Sequence, residues 1–276
     1  MNEKKQSTGK YIREEIVKVR DNVYKISFDY GLRPNIGLFE YTEGILLVDT
    51  GHKVMGQDLK KLIAEKWGKE VNFVINTHGH GDHVGANVIF EDTAAFIDYK
   101  KNKKWEYKGR LKKSDELLTG MNSSLLVKYT MPLDKEVIKI IPCINIHSGT
   151  DILVWFSHSG VIHMGDLLLT QSFPAVTNTV AEYIHFLETV VSVFPVKTKF
   201  IGGHGRIFLH KDVKTYLEIL KKTIIIVRNE FEKGKKLRQI QKDRVLKEWE
   251  YLGEFLKFLD ANSWIEAIYR SYTSIY

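Results

Sequence analysis

The residues that constrain this chain most are Val74-Ile75-Asn76-Thr77-His78-Gly79-His80-Gly81-Asp82-His83-Val84-Gly85, which pack three histidines and an aspartate into six positions after an apolar run. Imidazole and carboxylate suit zinc and iron, and several such groups crowded together are costly unless a cation neutralises and coordinates them. The stretch therefore asks for metal, and for a fold that brings further ligands to the same place. Gly79, Gly81 and Gly85 are read as permitting a tight turn that aims neighbouring side chains at two different ions.

Four ligands do not fill two metal shells, so more His, Asp or Cys is expected at later strand ends, where the loops of a sheet converge. Three positions answer this. His147 precedes Ser148-Gly149-Thr150, Asp166 closes His163-Met164-Gly165-Asp166, and His204 lies in Gly202-Gly203-His204-Gly205, each just past an expected strand and near glycine.

Periodicity supplies the frame around these residues. Strands are expected at Glu15–Val19, Val23–Phe28, Ile36–Tyr41 and Gly44–Val48, then a helix over Val54–Trp67 and a buried strand at Val71–Ile75, which together make a crossover unit. A strand at Ala94–Asp98, a Lys-rich helix through about Leu118 and an extended stretch over Val137–Ile146 follow. Ile152–Phe156 and Val161–Met164 read as strands joined at Ser157-His158-Ser159-Gly160, Ala181–Phe194 as an amphipathic helix, and Lys199–Gly202 as a last strand. Helices run from Asp212 onward, broken near Gly234 and Gly253. Strands and helices mixed in two halves predict an α/β sandwich with helices outside two packed sheets.

Composition narrows the partners. With 276 residues, 43% of them apolar and 12% aromatic, the chain has ample material for a globular core. Its net charge of +7 comes from 41 basic against 34 acidic residues spread along the chain, which reads as a solvated Lys-rich surface. The runs Lys100-Lys101-Asn102-Lys103-Lys104 and Lys233-Gly234-Lys235-Lys236 lack the interleaved aromatics that stack bases, so a nucleic-acid partner is disfavoured. The single Cys143 excludes an internal disulfide and a multi-cysteine zinc site, and its apolar neighbours assign it to packing. No apolar run approaches the ~20 residues of a membrane span, so no membrane association is expected. The polar segment Met1–Glu15 shows no signal-peptide core. The expected location is cytoplasmic, or periplasmic for a mature form stripped of its signal.

The ordered series His78-x-His80-x-Asp82-His83, His147, Asp166, His204 resembles the metallo-β-lactamase superfamily over nearly the whole chain. The resemblance implies a four-layer αββα sandwich of α/β (α+β) class, one domain over residues 1–276 with C-terminal helices from about residue 212. It also implies two Zn2+ per chain, with iron or manganese as alternatives. His78, His80 and His147 would hold one ion, Asp82, His83 and His204 the other, and Asp166 would bridge them. Asp49, in Leu46-Leu47-Val48-Asp49-Thr50-Gly51, matches the family's outer aspartate, which orients ligands. Asp166 stands where the best-known lactamases of the family carry cysteine, so the ligand set is closer to glyoxalase II-like hydrolases and lactamase activity is not favoured. His80 and His83 depart from the flavo-diiron pattern. Gly202-Gly203-His204-Gly205 differs from the commoner Pro-Gly-His-Gly, which is expected to change loop stiffness more than ligation.

The expected function is a metal-dependent hydrolase that activates water for attack on an ester, thioester, lactone or amide-like carbonyl of a small molecule, with Asp82 both ligating and carrying a proton. Two enzymatic alternatives stay open: a phosphodiesterase or nuclease, and a mononuclear iron oxygenase of sulfur compounds on the same fold. A metal-stabilised binding module is a third. Neither the substrate nor the oligomeric state is read from the residues. Tyr30 and Arg33 are read first as loop surface, with a substrate mouth as the alternative, and Phe173, Pro174 and Asn178 likewise, with a second wall as theirs. His52, beside the Asp49 turn, is read first as structural with reach to the site as its alternative, and His158, His163, His185 and His210 as structural or exposed.

Overall fold

In the computed structural model, which describes residues 13–98, 110–120 and 123–273, the strand-forming segments assemble into two sheets. The first holds β1 (Glu14–Arg20), β2 (Val23–Phe28), β3 (Ile36–Tyr41), β4 (Gly44–Val48), β5 (Val71–Ile75) and β6 (Ala95–Ile97), side by side in chain order. β1 to β4 are antiparallel, whereas β4, β5 and β6 are parallel. The crossover between β4 and β5 is α1 (Gly56–Trp67), and a short α2 (Gly81–Val84) sits in the loop after β5.

The second sheet holds β7 (Lys112–Thr119), β8 (Ser124–Leu133), β9 (Glu136–Cys143), β10 (Asp151–Phe156), β11 (Val161–Leu169), β12 (Lys199–His204) and β13 (Phe208–Leu209). Here only β11 and β12 are parallel, and α3 (Val180–Val193) makes their crossover. Thr179 caps α3 in a reciprocal box with Glu182, a contribution of about 1 kcal/mol. α4 (His210–Glu232), α5 (Leu237–Lys242) and α6 (Ala261–Thr273) complete the chain.

Three apolar cores correspond to the three interfaces of a four-layer sandwich. Leu59, Leu62 and Ile63 of α1 pack with Leu38, Ile45, Leu47 and Val74 on the outer face of the first sheet. Phe39, Leu46, Val48 and Ile75 meet Ile140, Val154, Phe156 and Ile201 between the sheets. On the far side Ile141, Leu153, Ile162 and Phe200 meet Phe186, Leu187, Leu217, Leu220 and Trp264 from the helices. Neighbours such as Ile140 and Ile141, or Leu153 and Val154, thus enter different cores, as period-2 geometry requires. Strands covered on both faces read as continuous apolar runs, and each fully buried side chain of this kind contributes roughly 1.5–3 kcal/mol.

One expected element is wrong. Lys112–Thr119 is a strand, not the end of a Lys-rich helix; it pairs antiparallel with β8, Leu117 opposite Leu126 and Glu116 opposite Val127. Cross-strand partners override the local preference. The Lys100–Lys104 run lies outside the described residues. Lys233 and Lys235 pair with Glu230, and Lys235 also with Asp243, so that run is a neutralised helix end rather than a free basic strip. No helix among the described residues is long and apolar enough to cross a membrane.

Candidate metal centre

The parallel strands of both sheets end at one edge of the sandwich, and there the seven side chains come together in two groups. His78, His80, His147 and Asp166 form one; Asp82, His83 and His204 form the other; within each group the candidate ligand atoms lie within 4.8 Å of one another. Three placements differ from expectation, the first being His204, which is the last residue of β12 rather than beyond it. Asp166 lies inside β11, at an irregularity in its pairing with β12, and His147 lies in a turn beyond β9, its N–H held by Asp151 Oδ2 at 3.1 Å.

The Asp166 carboxylate joins the groups. Its Oδ2 is 3.7 Å from His78 Nε2 and 3.5 Å from His147 Nε2, while its Oδ1 is 3.2 Å from His83 Nε2 and 3.4 Å from His204 Nε2. His80 Nδ1 is 3.0 Å from His78 Nε2 and 3.2 Å from His147 Nε2. Asp82 Oδ2 is 3.3 Å from His204 Nε2 and 3.6 Å from His83 Nε2. Ligands about 2.1 Å from a tetrahedral ion stand about 3.4 Å apart, so these spacings match the edges of such a shell. His83 Nε2 and Asp166 Oδ1 are both buried and form no hydrogen bond despite their closeness. Their attraction at 3.2 Å is charge-dependent and poorly aligned, and a cation among these atoms would satisfy both.

The outward ring nitrogens explain the orientation. Nδ1 of His78 meets Thr77 Oγ1 at 3.0 Å, that of His83 meets Asp49 Oδ2 at 2.8 Å, that of His147 meets Ala175 O at 3.1 Å, and that of His204 meets Leu32 O at 2.7 Å. Each contact anchors Nδ1 and turns the Nε2 lone pair inward. His80 is reversed, with Nδ1 inward on an exposed ring. Asp49 also accepts from Thr77 N–H at 2.8 Å and Thr77 Oγ1 at 2.7 Å, so one fully buried carboxylate braces both groups.

Electrostatics point the same way. Burial works against charge on Asp166, yet His83, His204 and His78 outweigh it and hold the carboxyl well below its usual range. Burial likewise opposes charge on Asp82, but the His204 hydrogen bond and nearby His83 bring it to about 2. Burial, then His83, pushes His78 down to about 3. His83 is the exception, because burial is overcome by Asp166 and Asp49 on its two sides, a field that favours positive charge on or beside that ring.

The glycines divide. A Cβ on Gly79 or Gly81 would meet nothing within 4 Å and neither has a positive φ, so the expected demand for glycine there is not met; openness around His80 is what they leave. Gly85 is required, since a Cβ would stand 2.4 Å from Gly81 O, and at Gly203 it would stand 1.9 Å from Asp166 Oδ1.

Tyr30, Leu32, His52, Lys53, Val54, Gly81 and Asp82 line a hollow of about 380 Å³ beside the centre. His52 therefore reaches the mouth, half-buried under the edge of Tyr30 at 5.7 Å, and burial lowers its pKa. Arg33 turns away to pair with Asp29. Phe173 is no wall: it is fully buried and stacks on Trp264 at 6.0 Å. Asn178 lines a separate hollow with Ile144, Ile146 and His185. His163 is a satisfied core residue, Nε2 facing Asn35 O at 3.2 Å and Nδ1 accepting from Gly165 N–H. Cys143 is buried, which pushes its thiol pKa up, as a packing role requires. Thr77, Asn35, Asp151 and Thr170 were not singled out in the sequence; only Thr77, a hydroxyl beside a ligand, carried a local signal.

The model of the family described as the metallo-beta-lactamase superfamily matches residues 29–224. Among solved structures, a metallo-beta-lactamase from Pontibacter korlensis is similar with a TM-score of 0.58 and 14% identity, over 75% of this chain and 98% of that one. A metallo beta lactamase from Hirschia baltica is similar with a TM-score of 0.56 and 15% identity, over 74% and 96%. No curated protein matches the chain.

Proposed function

Because the chain belongs to the metallo-β-lactamase superfamily, we propose that it is a hydrolase with a two-ion centre, in its simplest form zinc, acting on an ester, thioester, lactone or amide-like carbonyl of a small molecule. His78, His80 and His147 would hold one ion, Asp82, His83 and His204 the other, and Asp166 would give one oxygen to each. The observation that carries this reading is that divided carboxylate, whose Oδ1 faces the buried His83 Nε2 at 3.2 Å without a hydrogen bond between them.

Bound ions supply Lewis acidity, which activates water near neutral pH and polarises a carbonyl. The chain's own residues do the rest. Asp49, Thr77 and the carbonyls of Leu32 and Ala175 fix the imidazoles with Nε2 inward. The hollow beside Asp82 admits the substrate, with Tyr30 and Val54 offering apolar contact and Lys53 a cation. Asp82, ionised at neutral pH with a pKa of about 2, accepts a proton only in passing, because efficient proton carriers have pKa values nearer the working pH. A mononuclear oxygenase leaves one donor group without a task, so the second complete trio favours the two-ion reading.

The test is elemental analysis of protein purified without added metal, alongside hydrolysis of a thioester, a lactone, a cephalosporin and a phosphodiester. Two zinc ions per chain and one carbonyl substrate cleaved are expected. One iron per chain, with oxygen consumed and no hydrolysis, would overturn the reading, and cleavage of the phosphodiester alone would move it to phosphorus chemistry.

A further inference from the structure

His204 ends β12, and Gly202, Gly203 and Gly205 surround it with no proline to restrain the chain as it leaves the strand. Yet each carbonyl from Gly202 to Arg206 meets a polar partner. Asn35 Nδ2 donates to Gly202 O at 2.9 Å and Gly205 O at 3.0 Å, and Asn35 N–H donates to Gly203 O at 2.7 Å. From the other side, Thr170 Oγ1 is 3.1 Å from His204 O and 2.9 Å from Arg206 O. Both residues are buried.

The Asn35 amide is also fixed in direction. Its Oδ1 faces the ammonium of Lys25 at 3.4 Å, and that buried lysine is held in turn by Glu15 at 2.8 Å. With a cation on one side and two carbonyls on the other, only one orientation of the amide satisfies both. The geometry points to Asn35 and Thr170 as positioning residues: a two-sided clamp, locked by Lys25, that fixes the Gly202–Arg206 segment at the glycine-rich end of β12 and sets ion affinity in the Asp82–His83–His204 group. This rests on the two-ion reading.

The test is titration of metal-free protein with zinc against a competing chromophoric chelator. Asn35→Asp keeps shape and the Lys25 contact but turns an oxygen on the two carbonyls; Thr170→Val removes only the hydroxyl, and Thr170→Ser restores it. Wild type should bind two ions. Asn35→Asp and Thr170→Val should keep one and bind the other about ten- to a hundredfold more weakly, with Thr170→Ser close to wild type. Adding His80→Ala should leave a single ion that shows the same loss. Unchanged affinities, or equal weakening of both ions, would overturn the clamp. If Asn35→Asp fails to fold, the Thr170 pair decides alone. Wild type that takes up no zinc would instead sink the two-ion reading.

Discussion

The two donor groups are built differently. In the His78–His80–His147 group one ring is exposed, its neighbours are Gly79 and Gly81 with open space around them, and the anchors of the other rings are a threonine hydroxyl and a loop carbonyl. In the Asp82–His83–His204 group the two rings are buried, His83 is held by an aspartate at 2.8 Å, and His204, at the end of β12, is held by Leu32 O at 2.7 Å within a segment pinned on both sides. One group is set on the rim; the other is preorganised by contacts between distant parts of the chain. Preorganised ligands lose less freedom on binding, so the enclosed group is expected to set affinity and the open group to adapt to substrate.

Asp166 belongs to both groups and is the largest test of the contrast. Asp166→Asn removes the charge that each group shares while keeping the shape. Zinc affinity at both positions should fall by more than about a hundredfold, beyond the range seen for outer partners, and hydrolysis should drop to background. Retention of one ion at full affinity, read by the same chelator competition, would show that the groups are independent and the carboxylate is not shared.

His83→Ala and His80→Ala set the groups directly against each other. Loss of the fully buried His83 leaves Asp49 without its main partner and should cost roughly 2–4 kcal/mol of fold stability in the metal-free protein, in addition to one ion. Loss of exposed His80 should leave that stability within about 0.5 kcal/mol and weaken only the open position. Urea unfolding of both variants checks this; equal stability costs would erase the distinction between rim and interior.

The convergence of the seven side chains was legible because ligand chemistry is confined to few residue types, and these stood near strand ends the pattern marked, although Asp166 and His204 proved to lie within β11 and β12. β2 to β5 were legible too, being apolar runs cut by turn residues. What failed was contextual. Lys112–Thr119 is locally a charged, helix-compatible segment, and only its pairing with β8 makes it a strand. Asn35 sat in a stretch that read as loop chemistry, and its role depends on carbonyls 167 and 170 positions away, which no local signal encodes. The tautomers of His147 and His204 are equally invisible, because Ala175 and Leu32 become partners only once the chain has folded, whereas Asp49 was marked by the resemblance.

The enclosed side also carries a buried titratable ring outside the seven donors, and acid should reveal it. His163 is fully buried, and its two nitrogens join Asn35 O to Gly165 N–H. Burial pushes its pKa down to about 4, with Asp49 pulling the other way and His83 adding to the fall. In the unfolded chain the same ring titrates near 6.5, so between these values the unfolded state binds the proton and the native state does not. His163's contribution is therefore complete above about pH 6.5, declines as the pH falls toward 4, and levels off below; over that window it amounts to about 3 kcal/mol. Stability of the metal-free protein measured from pH 7.5 to 4 should fall at least that steeply, since buried His78, with a pKa of about 3, loses stability over the same window, and His163→Gln, which cannot take up the proton, should flatten the slope by His163's share. If the variant keeps the full slope, the acid sensitivity belongs to other groups, and the ring that ties Asn35 to the Asp166 strand does not govern how the enclosed half comes apart.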